Sequence, residues 1–160
     1  RGVNVLFGGF DGSRRLKDTW EWDGVAWVQH ATTGPSARSS HSMVFNSWRG
    51  TTVLYGGVVG QYDAGRPITS PETWEWDGAT WSLLGPEVMQ SRCRHAMAND
   101  EASGDMLVFG GRYGNVEAYS HMTWLAARDC NCNERPDRDE IRDGTETDGN
   151  SNGIPDSCER

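Results

Sequence analysis

The sequence predicts an all-β fold built from repeated antiparallel units. Short apolar runs bounded by Gly, Asp and Asn dominate the chain, and no run shows the 3.6-residue period of an amphipathic helix. The hexapeptide TWEWDG occurs twice, at Thr19–Gly24 and at Thr73–Gly78. Flanking residues recur at the same separation of 54 positions, and a repeat of about 50 residues is typical of radial or solenoid architectures.

Length, composition and charge restrict the class of protein. The chain has 160 residues, 20 of them Gly and 8 Trp, and this length allows a domain with a sizeable core. The net charge of −8 disfavours a nucleic-acid partner, because a phosphate backbone attracts basic surfaces. No apolar stretch approaches the length of a membrane span, so no membrane span is predicted.

The repeat extends well beyond the hexapeptide. Arg38 and His41 recur 54 positions later as Arg92 and His95. The apolar runs that end in two glycines are Val5–Gly9, Val53–Gly57 and Leu107–Gly111. The first run lies only 48 positions before the second, which indicates a loop that differs by six residues between units.

The sequence of each unit predicts four strands in a fixed order. The first carries Arg-x-x-His-x-Met, the second is the apolar run before Gly-Gly, and the third is Thr-Trp-Glu-Trp. Glycine permits a backbone bend that a side chain would obstruct, and Asp-Gly is typical of a tight hairpin turn before the fourth strand. The predicted bounds are Arg38–Asn46 and Arg92–Asn99 for the first strand, and Ala26–His30 and Thr80–Leu84 for the fourth. Repeated four-stranded antiparallel units are the blades of a β-propeller.

These motifs resemble kelch repeats, in the form common in secreted bacterial proteins. The resemblance covers residues 1–127 and implies a partial kelch β-propeller of about two and a half four-stranded blades. Kelch propellers commonly have six or seven blades, so ten predicted strands are too few to close a ring. We therefore expect this chain to be the C-terminal portion of a longer protein, with the missing blades supplied by the same full-length chain.

A second module is predicted at residues 128–160. Ten acidic and five basic residues give this segment a net charge of −5, and it has too few apolar residues to build a core. The segment from Asp148 to Glu159 fits the EF-hand calcium loop D-x-[DN]-x-[DN]-G-x5-E at every required position. The segment from Asp129 to Glu140 has Glu134 where the loop requires glycine, which predicts a weaker site.

The two loops together predict a calcium-binding tail. The predicted ligands of the first loop are Asp129, Asn131, Asn133, Asp137, Glu140 and the carbonyl of Arg135. The predicted ligands of the second loop are Asp148, Asn150, Asn152, Asp156, Glu159 and the carbonyl of Ile154. The pair resembles the duplicated loops of dockerins and, more closely, thrombospondin type 3 repeats. Of the helices that flank such loops elsewhere, only one turn over Arg138–Arg142 is predicted.

The four cysteines leave the disulfide pairing open. Cys130 lies in the first calcium loop and Cys158 in the second, so a bridge between them would hold the two loops together. Four cysteines permit three full pairings, however, and sequence does not choose among them. Calcium loops and a disulfide are typical of proteins outside the cytosol, so we expect a secreted or cell-surface location in a bacterium.

Candidate ligand contacts lie where the chain departs from its own repeat. The loop Val58–Pro71 is longer than its counterparts Phe10–Asp18 and Arg112–His121, and variable loops on a rigid scaffold commonly carry binding sites. The predicted contacts are Tyr62, Asp63 and Arg66 in this loop, together with Trp48 in a presumed turn. The recurring Trp and His residues are assigned to the structural frame, because repeated positions commonly pack between units.

The sequence predicts a non-catalytic extracellular binding or adhesion module. Its propeller loops would contact a glycan or protein, and its tail would bind Ca²⁺. Two alternatives stay open. One is a fragment of a galactose-oxidase-like or other carbohydrate-active enzyme whose catalytic residues lie in the missing blades, because no catalytic motif is present in this chain. The other is a structural spacer on the cell surface.

Overall fold

The fold is built from short antiparallel strands. The computed structural model describes residues 2–30, 33–60, 67–84, 90–101, 104–113, 123–126, 137–149 and 155–158. The strands are β1 Asn4–Phe10, β2 Arg15–Trp22, β3 Trp27–His30, β4 Ser42–Asn46, β5 Thr51–Tyr55, β6 Thr73–Trp76, β7 Trp81–Leu84, β8 Arg92–Cys93, β9 Ala96–Asn99, β10 Met106–Phe109, β11 Arg112–Tyr113 and β12 Thr123–Ala126. The helix α1 spans Asp137–Asp143, and a single-turn 3-10 helix spans Asp156–Cys158.

Three antiparallel sheets follow one another along the chain. The first sheet has the order β1-β2-β3, the second β4-β5-β6-β7, and the third β9-β10-β12. Strands β8 and β11 form a separate two-stranded ladder. The all-β prediction is therefore confirmed, and the sheets contain the predicted strands in the predicted order. The described strands do not close into a ring.

The strand register repeats from sheet to sheet. The tryptophan of the third strand in each unit faces the same position of the glycine-ended strand, in the pairs Leu6–Trp20, Leu54–Trp74 and Val108–Trp124. The aromatic pair Trp22–Trp27 has a ring-centroid distance of 5.6 Å, and the equivalent pair Trp76–Trp81 has 5.5 Å. The sequence repeat is thus a repeat of structure.

The predicted Asp-Gly hairpin turns are present in both units. The carboxylate of Asp23 accepts hydrogen bonds from the backbone N–H groups of Val25 and Ala26, both at 2.8 Å. Asp77 accepts the equivalent two bonds from Ala79 and Thr80, both at 2.7 Å. These backbone bonds lower the pKa of each aspartate, because they favour its charged form.

The second sheet packs its aromatic face against the first sheet. Trp76 is only 2% exposed and lies with Leu54, Trp81 and Phe7 in one buried cluster. The Trp76 indole Nε1 donates to the Glu21 carboxylate at 2.8 Å, and the Trp81 Nε1 donates to the Thr19 hydroxyl at 2.8 Å. Each buried indole therefore has a polar partner on the neighbouring sheet, as burial requires.

The same contact recurs between the second and third sheets. Tyr55 occupies the position of Phe7, and Val108 occupies the position of Leu54, and these two residues form a second buried cluster. The third sheet has Ala126 at the position of Trp76, so it has no indole there to reach Glu75. Glu75 instead pairs with Arg49, with 2.7 Å between Nε and Oε1. The second sheet thus uses opposite faces toward its two neighbours.

Four sequence expectations need correction. The first strand of the second unit begins at Ser42, later than predicted, and the strand predicted over Arg92–Asn99 is divided into β8 and β9. The reason is that Ser40 and Arg94 both adopt a left-handed φ of 57° that interrupts the extended chain. The segment Phe10–Asp18 is mostly strand, since β2 already begins at Arg15.

The other two corrections concern the tail helix and one tryptophan. The helix α1 has seven residues instead of the single turn Arg138–Arg142. Trp27 is 49% exposed although its equivalent Trp81 is buried, because no described sheet covers its face of the first sheet. Within the described ranges, no helix has the length and apolar character needed to cross a membrane.

Candidate functional site

Two buried arginines donate hydrogen bonds to the first residue of the double glycine in their own units. Arg38 Nη1 donates to the carbonyl of Gly56 at 3.0 Å, and Arg92 Nη1 donates to the carbonyl of Gly110 at the same distance. Arg38 also forms an ion pair with Glu72, with 2.5 Å between Nη2 and Oε2. These repeated contacts hold the end of one strand against the start of another, which is a structural role.

The repeated histidines are part of the same frame. The ring of His41 lies 5.9 Å from that of Phe7, and the ring of His95 lies 5.0 Å from that of Tyr55. Burial, together with the charge of the neighbouring arginine, lowers the pKa of each histidine to about 4. Both imidazoles are therefore neutral at pH 7 and pack as part of the sheet-to-sheet interface.

The double glycines let neighbouring sheets approach each other at one end. A Cβ atom on Gly56 would lie 2.5 Å from the carbonyl oxygen of Arg92, and one on Gly8 would lie 2.8 Å from that of Arg38. The following glycines donate across the same gap: Gly9 N–H to Arg38 O and Gly57 N–H to Arg92 O, both at 2.9 Å. Backbone hydrogen bonds thus link the three units at this end, which fixes the position of the loops there.

A cavity of about 240 Å³ lies at this linked end, and we call it the loop-end pocket. Its lining comes from all three units, because the segments that enter and leave the sheets meet here. The lining residues are Phe10, Arg15, Ser39, Ser40, Val58, Pro67, Cys93, Arg94 and Arg112. The pocket therefore joins side chains that are far apart in the sequence.

Repeated backbone positions present different side chains to the loop-end pocket. Phe10, Val58 and Arg112 each follow directly after a double glycine in successive units. Ser40 and Arg94 are likewise 54 positions apart and share a φ of 57°. A left-handed conformation costs a non-glycine residue about 1–2 kcal/mol, and such strain is often found at functional sites. The frame is constant here while the chemistry of the side chains changes.

The loop-end pocket is basic in an acidic protein. Three of its side chains are guanidinium groups, those of Arg15, Arg94 and Arg112, and none of the described lining residues is acidic. The Nε of Arg15 is buried and has no hydrogen-bond partner among the described residues. Burial raises the pKa of the Cys93 thiol, whereas Arg94 and Arg112 act to lower it, as positive charges nearby must.

The structure places two of the predicted loop residues at this pocket. Val58 and Pro67 both line it, whereas Tyr62, Asp63 and Arg66 lie outside the described residues. The prediction that Val58–Pro71 is a binding loop therefore agrees with the position of Val58 and Pro67 at the pocket.

Trp48 lies away from the loop-end pocket, in the turn that joins β4 to β5 at the opposite end of the second sheet. Its indole Nε1 donates to the carbonyl of Glu101 at 2.8 Å, and its side chain is 40% exposed. Trp48 therefore lies at the other end of the sheet from Val58 and Pro67, the loop residues that line the pocket, and its role in ligand contact stays a prediction.

The three pocket arginines were not among the sequence-predicted site residues. A signal for two of them was present: Arg112 stands where the previous unit has Val58, and Arg94 stands where it has Ser40. Comparing equivalent positions for a change of chemistry would have found these two. Arg15 has no such signal, because its loop differs in length from the loops of the other units.

The chain is similar in fold to known structures. No protein-family model matches the chain. A solved structure titled "Structure of YjhT" is similar to it, with a TM-score of 0.61 and 16% sequence identity. The match covers 78% of this chain and 38% of the other, so this chain spans well under half of that protein's length. At this identity the similarity shows the fold alone.

In the tail, the first and ninth positions of the second predicted calcium loop lie close together. Asp156 accepts hydrogen bonds from the Thr147 hydroxyl and the Gly149 N–H, both at 2.9 Å, and its own N–H donates to the Thr147 carbonyl at 2.7 Å. Asp148 lies between Thr147 and Gly149, so positions 1 and 9 of the loop are adjacent. This arrangement fits an ion held by the first and ninth positions together.

The remaining tail predictions are only partly within the described residues. Glu140 is a buried residue of α1, and Cys158 ends the 3-10 helix. Asp137 begins α1. The predicted residues outside the described ranges are Asp129, Cys130, Asn131, Asn133, Arg135, Asn150, Asn152, Ile154 and Glu159. Within the described ranges no three His, Cys, Asp or Glu side chains form a cluster suited to a metal, and Cys93 is a free, buried thiol.

Proposed function

We propose that the three sheets are consecutive blades of a kelch β-propeller. The support is the interface between neighbouring sheets, which uses equivalent residues on both sides of the second sheet. A radial stack of sheets repeats one interface in this way. The outer face of the first sheet carries Leu6, Trp22 and Trp27, the equivalents of the buried Leu54, Trp76 and Trp81, so a further blade fits there.

The propeller serves, in this proposal, as a non-catalytic extracellular module that binds a carbohydrate in the loop-end pocket. The observation that carries it is the composition of the pocket. The ring of Phe10 is 57% exposed and can stack on a pyranose face, while Ser39, Ser40 and the arginines can hydrogen-bond to hydroxyl groups. The lining contains no pair of carboxylates among its described residues, so it offers binding groups without an acid and base for glycoside hydrolysis.

Binding of the 160-residue chain to a glycan array tests this proposal. We expect a defined subset of glycans to bind, and we expect Phe10→Ala to weaken binding about three- to tenfold, because the ring supplies a stacking surface worth about 0.5–1.5 kcal/mol. Phe45→Ala is the matched control, since Phe45 is 49% exposed at the opposite end of the second sheet. Absence of glycan binding, or equal losses from both variants, would contradict the proposal.

The tail binds Ca²⁺ in this proposal and stabilises the C-terminal segment outside the cell. Support comes from the loop spacing and from the closure of the second loop through Asp156. When bound, Ca²⁺ would be held by oxygens of Asp148 and Asp156, and its charge would offset the acidic character of the tail.

Calorimetric titration with calcium tests the tail. We expect Asp148→Ala to lower the affinity of the second loop by roughly tenfold or more, because it removes a charged ligand at the first position. Asp143→Asn is the control, since Asp143 lies in the same segment but outside the predicted ligand set. No heat at millimolar Ca²⁺, or an unchanged titration of the Asp148→Ala variant, would exclude the site.

A further inference from the structure

We propose that the glycan bound by the loop-end pocket carries an anionic group, a carboxylate or a sulfate ester, and that Arg15, Arg94 and Arg112 hold this group. The inference rests on the proposed glycan binding and names the class of sugar. It follows from the residues that line the pocket, from the position of Arg15 beside Phe10, and from the way two arginines depart from the repeat.

The three arginines reach the pocket from separate parts of the fold. Arg15 begins β2 of the first sheet, Arg94 lies between β8 and β9, and Arg112 begins β11. Guanidinium groups around one cavity repel each other, since the surrounding protein screens charge less than water does. An anion bound among them would be attracted by each of these charges. The cavity is basic although the protein as a whole has a net charge of −8.

The Arg15 side chain is poised for an acceptor. Its Nε is buried without a hydrogen-bond partner among the described residues, and its guanidinium lies 5.9 Å from the centroid of the Phe10 ring. Because the Nε is closed to solvent while the residue as a whole is only half-buried, a bound anion would be met by the terminal N–H groups of Arg15. The same contact would place the sugar ring beside Phe10, so one ligand can use the charge and the aromatic surface together.

The chemistry of guanidinium selects the ligand. Its planar N–H groups match the two oxygens of a carboxylate or a sulfate, and such charge-assisted hydrogen bonds are stronger than bonds between neutral groups. The Ser39 backbone is already paired with Val58 in both directions, at 3.1 and 2.7 Å, so the serine hydroxyls are what this segment can offer to neutral parts of the sugar.

Two of the arginines are departures from the repeat. Arg94 has the same φ of 57° as Ser40, its equivalent in the preceding unit, and Arg112 follows Gly111 as Val58 follows Gly57. The frame therefore accepts Ser and Val at these positions. Substitution by the residue of the preceding unit removes the charge with little disturbance of the backbone.

The test is a titration of the 160-residue chain with three trisaccharide probes. The probes are trigalacturonic acid, its fully methyl-esterified form, and a sulfated galactose trisaccharide. We expect one of the two anionic probes to bind and the neutral ester to bind at least tenfold more weakly, and the better anionic probe identifies the group. Affinity for that probe should fall as salt rises from 50 to 500 mM, because charge pairs are screened.

Matched variants separate the arginines from the fold. We expect Arg94→Ser and Arg112→Val each to weaken binding of the anionic probe about tenfold or more, and Arg94→Lys to retain part of it. Arg14→Ser is the control, because Arg14 is an exposed side chain paired with Asp11 and does not line the pocket. Circular dichroism and the melting temperature show whether each variant is folded.

The outcomes distinguish the inference of an anionic group from the proposal of glycan binding on which it rests. If glycans bind in a Phe10-dependent manner but the ester binds as tightly as the acid, the inference is wrong and glycan binding stands. If Arg94→Ser and Arg112→Val are folded and bind the anionic probe like the unmodified chain, the inference is also wrong. If no glycan binds, both fail.

Discussion

We expect Trp76→Ala to lower the free energy of unfolding by about 3–5 kcal/mol, the range typical of deleting a large buried aromatic side chain. Trp76 is among the most deeply buried side chains, and it packs with Leu54, Trp81 and Phe7 between the first and second sheets. The substitution also leaves the buried Glu21 carboxylate without its indole donor. Urea unfolding followed by circular dichroism measures the loss.

Trp22→Ala is the matched control, because Trp22 occupies the equivalent position of the first sheet. Its ring contacts that of Trp27, but no described sheet covers this face, and Trp27 beside it is 49% exposed. The expected loss is therefore about 1 kcal/mol, the cost typical of an incompletely buried site. Equal losses for Trp76→Ala and Trp22→Ala would show that the second sheet is not stacked on the first as described.

The second large effect is expected for Gly56→Ala. Gly56 has a φ of +69°, and an added Cβ would lie 2.5 Å from the carbonyl oxygen of Arg92. Strain in the left-handed region costs about 1–2 kcal/mol, and forcing the backbone of the third unit aside costs about 1–3 kcal/mol more. The expected loss of unfolding free energy is therefore about 2–5 kcal/mol, measured in the same urea experiment.

Gly50→Ala separates these two costs. Gly50 has almost the same φ, +67°, but an added Cβ there would meet no atom within 4 Å. This variant should lose only the conformational part, about 1–2 kcal/mol. Equal losses of unfolding free energy in the two variants would contradict this explanation. They would mean that the close approach of neighbouring units is not the reason for glycine at position 56.

Much of the fold was predictable because its signals are local and occur more than once. The strand Thr73–Trp76 and both Asp-Gly turns follow from short patterns whose physical basis lies within a few residues. The glycine bend was predictable for the same reason. Repetition strengthened each prediction, since a pattern seen twice at one spacing is unlikely to be accidental.

The strand starts and the helix were less predictable. The left-handed φ at Ser40 and Arg94 depends on contacts between units, among them the bond from Arg94 N–H to the Ser40 carbonyl at 2.8 Å. Neither residue type indicates that conformation by itself. The helix α1 extends through Asp143 although its sequence is charged, and its Glu140 side chain is buried, which the local sequence did not indicate.

The loop-end pocket depends on positions that meet only after the sheets stack. Arg15 and Arg112 lie almost a hundred residues apart in the chain, and nothing in either local sequence indicates the other. The loop Val58–Pro71 was predicted as a binding loop from its length alone, and only its ends are placed at the pocket. A repeat alignment predicts where side chains can vary, but the stacking of the sheets decides which of them face one cavity.

Backbone amide chemical shifts, followed while the strongest glycan of the array is titrated into the labelled chain, test the account most directly. Ligand binding at the loop-end pocket should move the amide signals of Ser39, Ser40, Cys93, Arg94 and Arg112. The turn at residues 47–50, at the opposite end of the second sheet, should stay unchanged. Shifts concentrated in that turn, or an absence of shifts at the pocket residues under saturating glycan, would contradict the account.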